Sequence, residues 1–319
     1  MQTPPSLDQI QTAAERIRPF VHRTPVLTCR SIDSLLKATL FFKCENFQKV
    51  GAFKFRGASN AVFSLGEAEA AKGVATHSSG NHAAAVALAA RLRGIPSYIV
   101  MPRTAPQVKK RAVEGYGAEI TLCEPTEQAR GEALASVVAR TGAAFIHPYD
   151  NYAVIAGQAT AALELLKEVP DLDAILTPVG GGGLLSGTAL TTAYISPRTQ
   201  VFAGEPLAAD DAFRSMQTGT LQPSVNPQTV ADGLLTSLGA LTFPIIRQHV
   251  QRIITVTEEE ILAAMRLVWE RMKIVIEPSA AVPLAAVSRD KAEFSGKKVG
   301  VILSGGNLDL AQFFESMAG

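Results

Sequence analysis

The sequence predicts an α/β protein with two open parallel sheets, the smaller unit inserted in the larger. Three observations predict it. Short apolar runs alternate with helical patterns from Phe41 to Leu303, which reads as parallel strands covered by helices on both faces. Three of the runs end in loops rich in glycine or hydroxyl groups that lead into helices, where open parallel sheets gather their ligands. No compositional break marks a linker, so a second domain is expected as an insertion, with 73–151 as the small unit and 1–72 plus 152–319 as the large one.

The elements follow in order. Ser6 with Gln9 three residues on is a capping box, and Ile10, Ala13, Ala14 and Ile17 then share one helical face. Strands are expected at 39–44, 73–76, 97–101, 119–123, 144–146, 174–177, 201–203, 252–256 and 299–303. Helices are expected at about 83–93, 107–116, 127–140 and 154–168. Thr257 with Glu260 forms a second capping box, and Ile261, Met265, Val268 and Met272 fall on one face behind it.

Composition narrows the function classes. With 319 residues, 47% hydrophobic and 18% charged, the chain is long enough for two domains and a large core. A net charge of +1 gives no basis for nucleic acid or an acidic membrane surface as partner. No apolar stretch reaches membrane-spanning length, and the start MQTPPSLDQIQ has no signal-peptide pattern. Cys29, Cys44 and Cys123 show no metal-ligand spacing and cannot all pair, so a reducing, cytoplasmic setting is expected.

Three stretches carry chemistry. In Gly51-Ala52-Phe53-Lys54-Phe55-Arg56-Gly57-Ala58 a lysine sits between two aromatics in a frame of small residues. Aromatic flanks can strip water from an ammonium and make it a nucleophile at neutral pH. The octapeptide by itself reads equally well as a solvent-facing lysine on an amphipathic segment. Gly180, Gly181, Gly182 and Gly183 lie between a strand and a helix, and four consecutive N–H groups there form a cradle for a phosphate. The loop has neither the Gly-Lys-Ser/Thr of a Walker motif nor the Gly-x-Gly-x-x-Gly of a dinucleotide site, which points to a phosphate monoester on a larger cofactor. Ser78-Ser79-Gly80-Asn81-His82 brings two hydroxyls, an amide and an imidazole to a helix start, suited to a carboxylate and a hydroxyl-bearing ring.

With these stretches in place, the chain resembles the fold-type II pyridoxal-phosphate enzymes, in the branch of serine racemases, serine/threonine dehydratases and 3-hydroxyaspartate dehydratases. The resemblance rests on GAFKFRGA, THSSGNHAAA, PRTAP, CEPTEQAR, AVIAGQ, VGGGGLLSG, AGEPLAADDA, ADGLLTSLG, VWERMKIVIEPSAA and ILSGGN. It implies a tryptophan synthase β-like fold and pyridoxal 5'-phosphate as cofactor. By resemblance Lys54 forms the Schiff base and Phe53 lies against the pyridine ring. Gly180 to Gly183 hold the phosphate, Asn81 pairs with the ring hydroxyl and Ser304 faces the ring nitrogen. A serine there makes the ring a weaker electron sink than a carboxylate would, which favours elimination over a long-lived carbanion. Ser78, Ser79, Asn81 and His82 match the loop that grips the substrate carboxylate, and Ser79 matches a second base on the face opposite Lys54. Arg130, Tyr149 and Thr236 are further candidates for substrate contact.

Glu205, Asp211 and the carbonyl of Ala209 match a divalent-cation site for Mg²⁺, or Ca²⁺ or Mn²⁺, that orders a loop. Tyr149, Ala84 and Val50 depart from the animal serine racemases, the last two at their nucleotide site, so nucleotide activation is not expected. A homodimer is implied by the resemblance alone. The leading expectation is an ammonia-lyase that eliminates water from a 3-hydroxy amino acid of the serine, threonine, 3-hydroxyaspartate or phenylserine type. A racemase using Lys54 and Ser79 is the alternative, and a non-catalytic ligand-binding regulator a remote one.

Overall fold

The computed structural model describes residues 3–78 and 80–309. Ser79 lies outside the described residues. The strands are β1 (Val26–Leu27), β2 (Thr39–Cys44), β3 (Val74–His77), β4 (Ser97–Pro102), β5 (Glu119–Cys123), β6 (Ala144–Phe145), β7 (Ala174–Pro178), β8 (Gln200–Pro206), β9 (Arg252–Val256) and β10 (Lys298–Leu303). They form a six-stranded sheet in the order β1-β2-β10-β7-β8-β9 and a four-stranded sheet in the order β5-β4-β3-β6. Every pairing is parallel except β1 with β2, an antiparallel edge that the sequence pattern did not announce. Two residues are too few to show a period.

Both capping boxes form, at Ser6/Gln9 and Thr257/Glu260, and start the helices Leu7–Ile17 and Glu258–Met272. Ile10, Ala13 and Ile17 are buried on the first, and Ile261, Met265 and Val268 on the second. The central strands β7 and β10 are buried along nearly their whole length, as strands covered on both faces must be. Around them Leu40, Phe42, Leu176, Val299, Val301 and Leu303 pack against the helix Pro278–Arg289 and its neighbours. Burial of each such large side chain contributes about 1.5–3 kcal/mol.

Parallel register decides where the loops meet. Leu303 pairs with Cys44, and Val301 with Leu176, so the carboxyl ends of β2, β10 and β7 lie side by side. The Lys54 segment, Ser304 and the four glycines therefore leave the sheet on the same edge. Ser304 accepts a hydrogen bond from the Phe53 N–H at 3.0 Å, and an isolated bridge joins Ala52 to Gly305.

The helix Lys54–Ser64 is anchored from its buried side by Arg56. Residues two apart on a helix point to opposite faces, so an Arg56 directed inward leaves Lys54 directed to the sheet edge. Arg56 Nε and Nη2 donate to the two oxygens of Glu45 at 2.7 and 2.9 Å. Its Nη1 and Nη2 donate to the two oxygens of Glu164 at 2.8 Å each. Lys43 reaches the same Glu164 at 2.6 Å, which balances two acids with two cations. Removal of one member leaves buried charge without its partner. Arg56→Leu is expected to cost about 3–5 kcal/mol in denaturant unfolding.

Candidate active site

Lys54 opens its helix directly behind Phe53, whose ring centroid lies 5.2 Å from Nζ. Nζ donates to the Pro148 carbonyl at 3.0 Å. Burial pulls its pKa down from 10.5 to about 8, against the opposing pull of the Glu277 charge. Roughly one lysine in ten is then neutral at pH 7, against fewer than one in a thousand for an unshifted side chain. The solvent-facing reading of the octapeptide does not hold: the side chain is half-buried and its ammonium is held by the Pro148 carbonyl, and the sequence lacked the packing partners needed to decide it.

The segment 147–150 connects the lysine to the glycine loop. His147 Nδ1 accepts from the N–H groups of Tyr149 and Asp150 at 3.3 and 2.8 Å, folding the chain into a tight turn. Burial lowers the His147 pKa to about 4, so the ring is neutral and can accept. Pro148 takes the lysine, and Tyr149 lays its ring against Gly181 so closely that a Cβ there would come within 2.2 Å. Asp150 accepts from the N–H groups of Ala240, Leu241 and Thr242 at 3.1, 2.8 and 3.3 Å. It thereby caps the helix Thr242–His249 from outside.

The four glycines run from β7 into the helix Gly183–Ile195, with Gly182 at φ +88° as its N-cap. Their small size serves two ends. Gly181 admits the Tyr149 ring, and Gly183 admits Gln158, whose Oε1 would lie 2.4 Å from an added Cβ. Both polar atoms of the buried Gln158 side chain lack partners among the described residues. An unpaired amide against a helix N-terminus free of side chains fits a polar, anionic group such as a phosphate.

The substrate loop follows β3. Ser78 Oγ accepts from the Gly80 N–H at 3.2 Å, and Gly80 is the N-cap of the helix Asn81–Arg93 with no side-chain cap. The first N–H groups of that helix are thus open to an acid. Asn81 turns away from its own helix: Nδ2 donates to both oxygens of Glu277 at 3.1 Å, and Oδ1 accepts from Asn307 Nδ2 at 2.9 Å. His82 is buried, and its Nε2 pairs with the Ile146 carbonyl at 3.0 Å. Burial, then the Lys54 charge, lower its pKa to about 3. A neutral ring that donates to a carbonyl through Nε2 presents only an acceptor at Nδ1, so His82 supports the loop from beneath.

Arg130 lies near the end of β3, where its charge helps depress the His77 imidazole after burial does. Its Nε is buried without a partner among the described residues. The Thr236 side chain lies near the Tyr149 hydroxyl, whose pKa burial raises to about 12. Ser304 is buried behind Phe53. Glu277, inside the motif VWERMKIVIEPSAA, is a site residue to which no local pattern assigns a role. Its partners Asn81 and Asn307 are remote in sequence, and only the signal of an acid before a buried helix was there to find it.

Glu205 and Asp211 stand apart from this cluster. Glu205 accepts from the N–H groups of Ala212 and Phe213 at 2.8 and 2.7 Å, at the start of the helix Asp211–Thr218. Asp211 Oδ2 is buried without a partner among the described residues. Burial pushes Glu205 up to about 9 and Asp211 up to about 6. Among the described residues no group of three or more His, Cys, Asp or Glu gathers as a metal cluster.

The match to the family model for pyridoxal-phosphate dependent enzymes spans residues 17–305, and the chain belongs to that family. Within it the chain is a fold-type II enzyme of the serine racemase, hydroxyaspartate dehydratase and threonine deaminase group. It is 53% identical over 306 residues to a β-hydroxyaspartate dehydratase of Paracoccus denitrificans, covering 96% of this chain and 97% of that one. It is 53% identical over 312 residues to a serine racemase of Dictyostelium discoideum, covering 96% of each. The crystal structure of serine racemase from Dictyostelium discoideum superposes with a TM-score of 0.92, at 53% identity, over 96% of this chain and 99% of that one.

The two raised carboxyls predict a pH slope. Their folded pKa values exceed the unfolded ones, so the folded state holds more protons and stability falls as pH rises from about 4 to about 9. Thermal unfolding of the protein freed of divalent cations is expected to show that decline across the range, and Glu205→Gln to flatten it.

Proposed function

We propose that this protein is a pyridoxal-phosphate-dependent ammonia-lyase that eliminates water from a 3-hydroxy amino acid, with 3-hydroxyaspartate as the substrate that fits best. The observation that carries this reading is the unpaired, buried Nε of Arg130, whose charge reaches His77 just before the substrate loop. A second carboxylate on the substrate would meet that cation, whereas serine or threonine would leave it alone. The 53% identity to a β-hydroxyaspartate dehydratase supports the same choice.

The cofactor, when bound, supplies a ring that withdraws electrons from the substrate's α-carbon. Gly180 to Gly183 and the nearby Gln158 would hold its phosphate, and Phe53, Asn81 and Ser304 would hold its ring. Lys54, whose pKa is lowered chiefly by desolvation, would anchor the cofactor and, once its amine is free, take the α-proton. Ser78 and the open N–H groups at the start of the helix Asn81–Arg93 hold the α-carboxylate. Tyr149 and Thr236 close the side of the site over Gly181. The α-proton passes to Lys54 and on to the departing β-hydroxyl, which leaves as water. The released enamine tautomerises to an imine, which water hydrolyses to a 2-oxo acid and ammonia.

Residues 73–151 act as the small unit that closes over the substrate, drawn toward the large one by contacts such as Lys109 to Asp232 at 2.7 Å. Glu205, Asp211 and the Ala209 carbonyl would hold a divalent cation. A doubly positive ion there would meet the unpaired Asp211 Oδ2 and return both acids to the ionised form. The second reading is racemisation, with Ser79 as the base opposite Lys54, and the 53% identity to a serine racemase favours it. The assembly is a homodimer.

One panel tests the choice. L-threo-3-hydroxyaspartate, L-serine and L-threonine are incubated with the holoenzyme and scored for ammonia, 2-oxo acid and D-isomer. Hydroxyaspartate is expected to give ammonia fastest; D-isomer without ammonia would overturn the lyase reading. Arg130→Met is expected to lower kcat/KM for hydroxyaspartate about 10- to 100-fold, while that for L-serine stays within a few-fold. Chelation by EDTA is expected to lower the Tm, and added Mg²⁺, Ca²⁺ or Mn²⁺ to restore it.

A further inference from the structure

Glu277 is a buried acid at the site, and its placement is built from several directions. It occupies the N-cap position of the helix Pro278–Arg289, in an extended conformation. A carboxylate there ordinarily folds back onto the first N–H groups of its own helix. This one makes no such bond. It reaches Asn81 instead, and Gly305 leaves it the room: a Cβ at Gly305 would lie 2.6 Å from Glu277 Oε1.

The hydrogen bonds close a ring. Asn81 Nδ2 lies 3.1 Å from both Glu277 oxygens. The two N–H bonds of a planar amide diverge by about 120°, far more than the two oxygens of one carboxylate subtend, so a single N–H serves both. Asn81 Oδ1 accepts from Asn307 Nδ2 at 2.9 Å, and the Asn307 backbone N–H donates to Glu277 Oε2 at 3.2 Å. The other N–H of the Asn307 amide goes to the Val50 carbonyl at 2.6 Å, in the turn just before Lys54. Val50 holds φ 55°, a left-handed conformation that costs a β-branched residue energy and persists only where neighbours impose it. Rotating the Asn81 amide by half a turn would set its oxygen against a carboxylate and its NH₂ against an NH₂. The amide is therefore fixed, with one N–H unused.

We propose that Glu277 is a positioning residue that acts through Asn81: with Asn307 as brace, it holds the unused Asn81 N–H toward the ring hydroxyl of the cofactor. The inference rests on the pairing of Asn81 with that hydroxyl given under the proposed function. The other charged groups facing Glu277 are Lys54, Asp232 and Lys109, the last two paired with each other, so a direct effect of its charge on the site is the competing explanation.

A double-mutant cycle on the pyridoxal-phosphate-loaded protein separates the two. The dissociation constant of the cofactor and the balance of its visible absorption bands are measured for wild type, Glu277→Gln, Asn81→Ala and the double variant. Each single variant is expected to weaken cofactor binding about tenfold and shift the bands, and the double to match Asn81→Ala alone. Effects that multiply in the double variant, with Asn81→Ala itself altered, would overturn the positioning role while leaving the Asn81 pairing intact. An Asn81→Ala protein with unchanged bands and affinity would overturn the pairing, and the positioning role with it. Should Glu277→Gln fail to fold, Asn307→Ala takes its place in the same cycle: a double variant no worse than Asn81→Ala supports the ring of bonds, and multiplied effects refute it.

Discussion

The paired bidentate contacts of Arg56 with Glu45 and Glu164 are the constraint on which the site depends. A fully buried guanidinium is tolerable only where its N–H groups find acceptors and its charge is met. Both conditions hold here, because Thr24, Thr160 and Lys43 complete the network around the two acids. The network ties the end of β2, the lysine helix and the helix Tyr152–Glu168 into one body. Lys54 is two residues from Arg56, so its direction follows from an interaction on the opposite face. A nucleophile borne on a rigid helix, braced from behind, keeps its geometry when the cofactor and substrate change in front of it.

The same economy appears in the turn 147–150. Four consecutive residues build a tight turn, receive the lysine, cover a glycine and cap a remote helix. This turn ties the chain after the four-stranded sheet to residues around the six-stranded one, and the Asn81, Glu277 and Asn307 ring makes a second tie between them. The glycines are needed for shape as well as for their N–H groups: Tyr149 and Gln158 occupy the space that side chains would fill.

Much of the fold was legible because it is locally encoded. The capping boxes at Ser6 and Thr257 form as the spacing required, and β5 and β9 keep the bounds that their apolar runs gave. Two helices that the pattern did not announce lack a local signal, each for its own reason. Pro278–Arg289 is buried on nearly every side and carries Pro283 in its interior, so neither a 3.6-residue stripe nor a clean propensity signal marks it. Arg30–Leu36 is only seven residues long, and its N-cap Cys29 makes no side-chain bond.

The site divides along the same line. Sequence by itself determined which residues can do chemistry: a lysine between aromatics, four consecutive glycines before a helix, and a hydroxyl and amide loop. Those are composition and spacing within a few residues, and the resemblance to a family rests on them. What the side chains face was decided by tertiary structure alone. His82 lies under its loop, Asn81 turns to an acid 196 residues away, and the Asn307 amide that braces it is 226 residues away. Burial, too, is a property of the assembled molecule. It takes Lys54 down to about 8 and Glu277 up to about 7, and no octapeptide contains the protein that displaces the water.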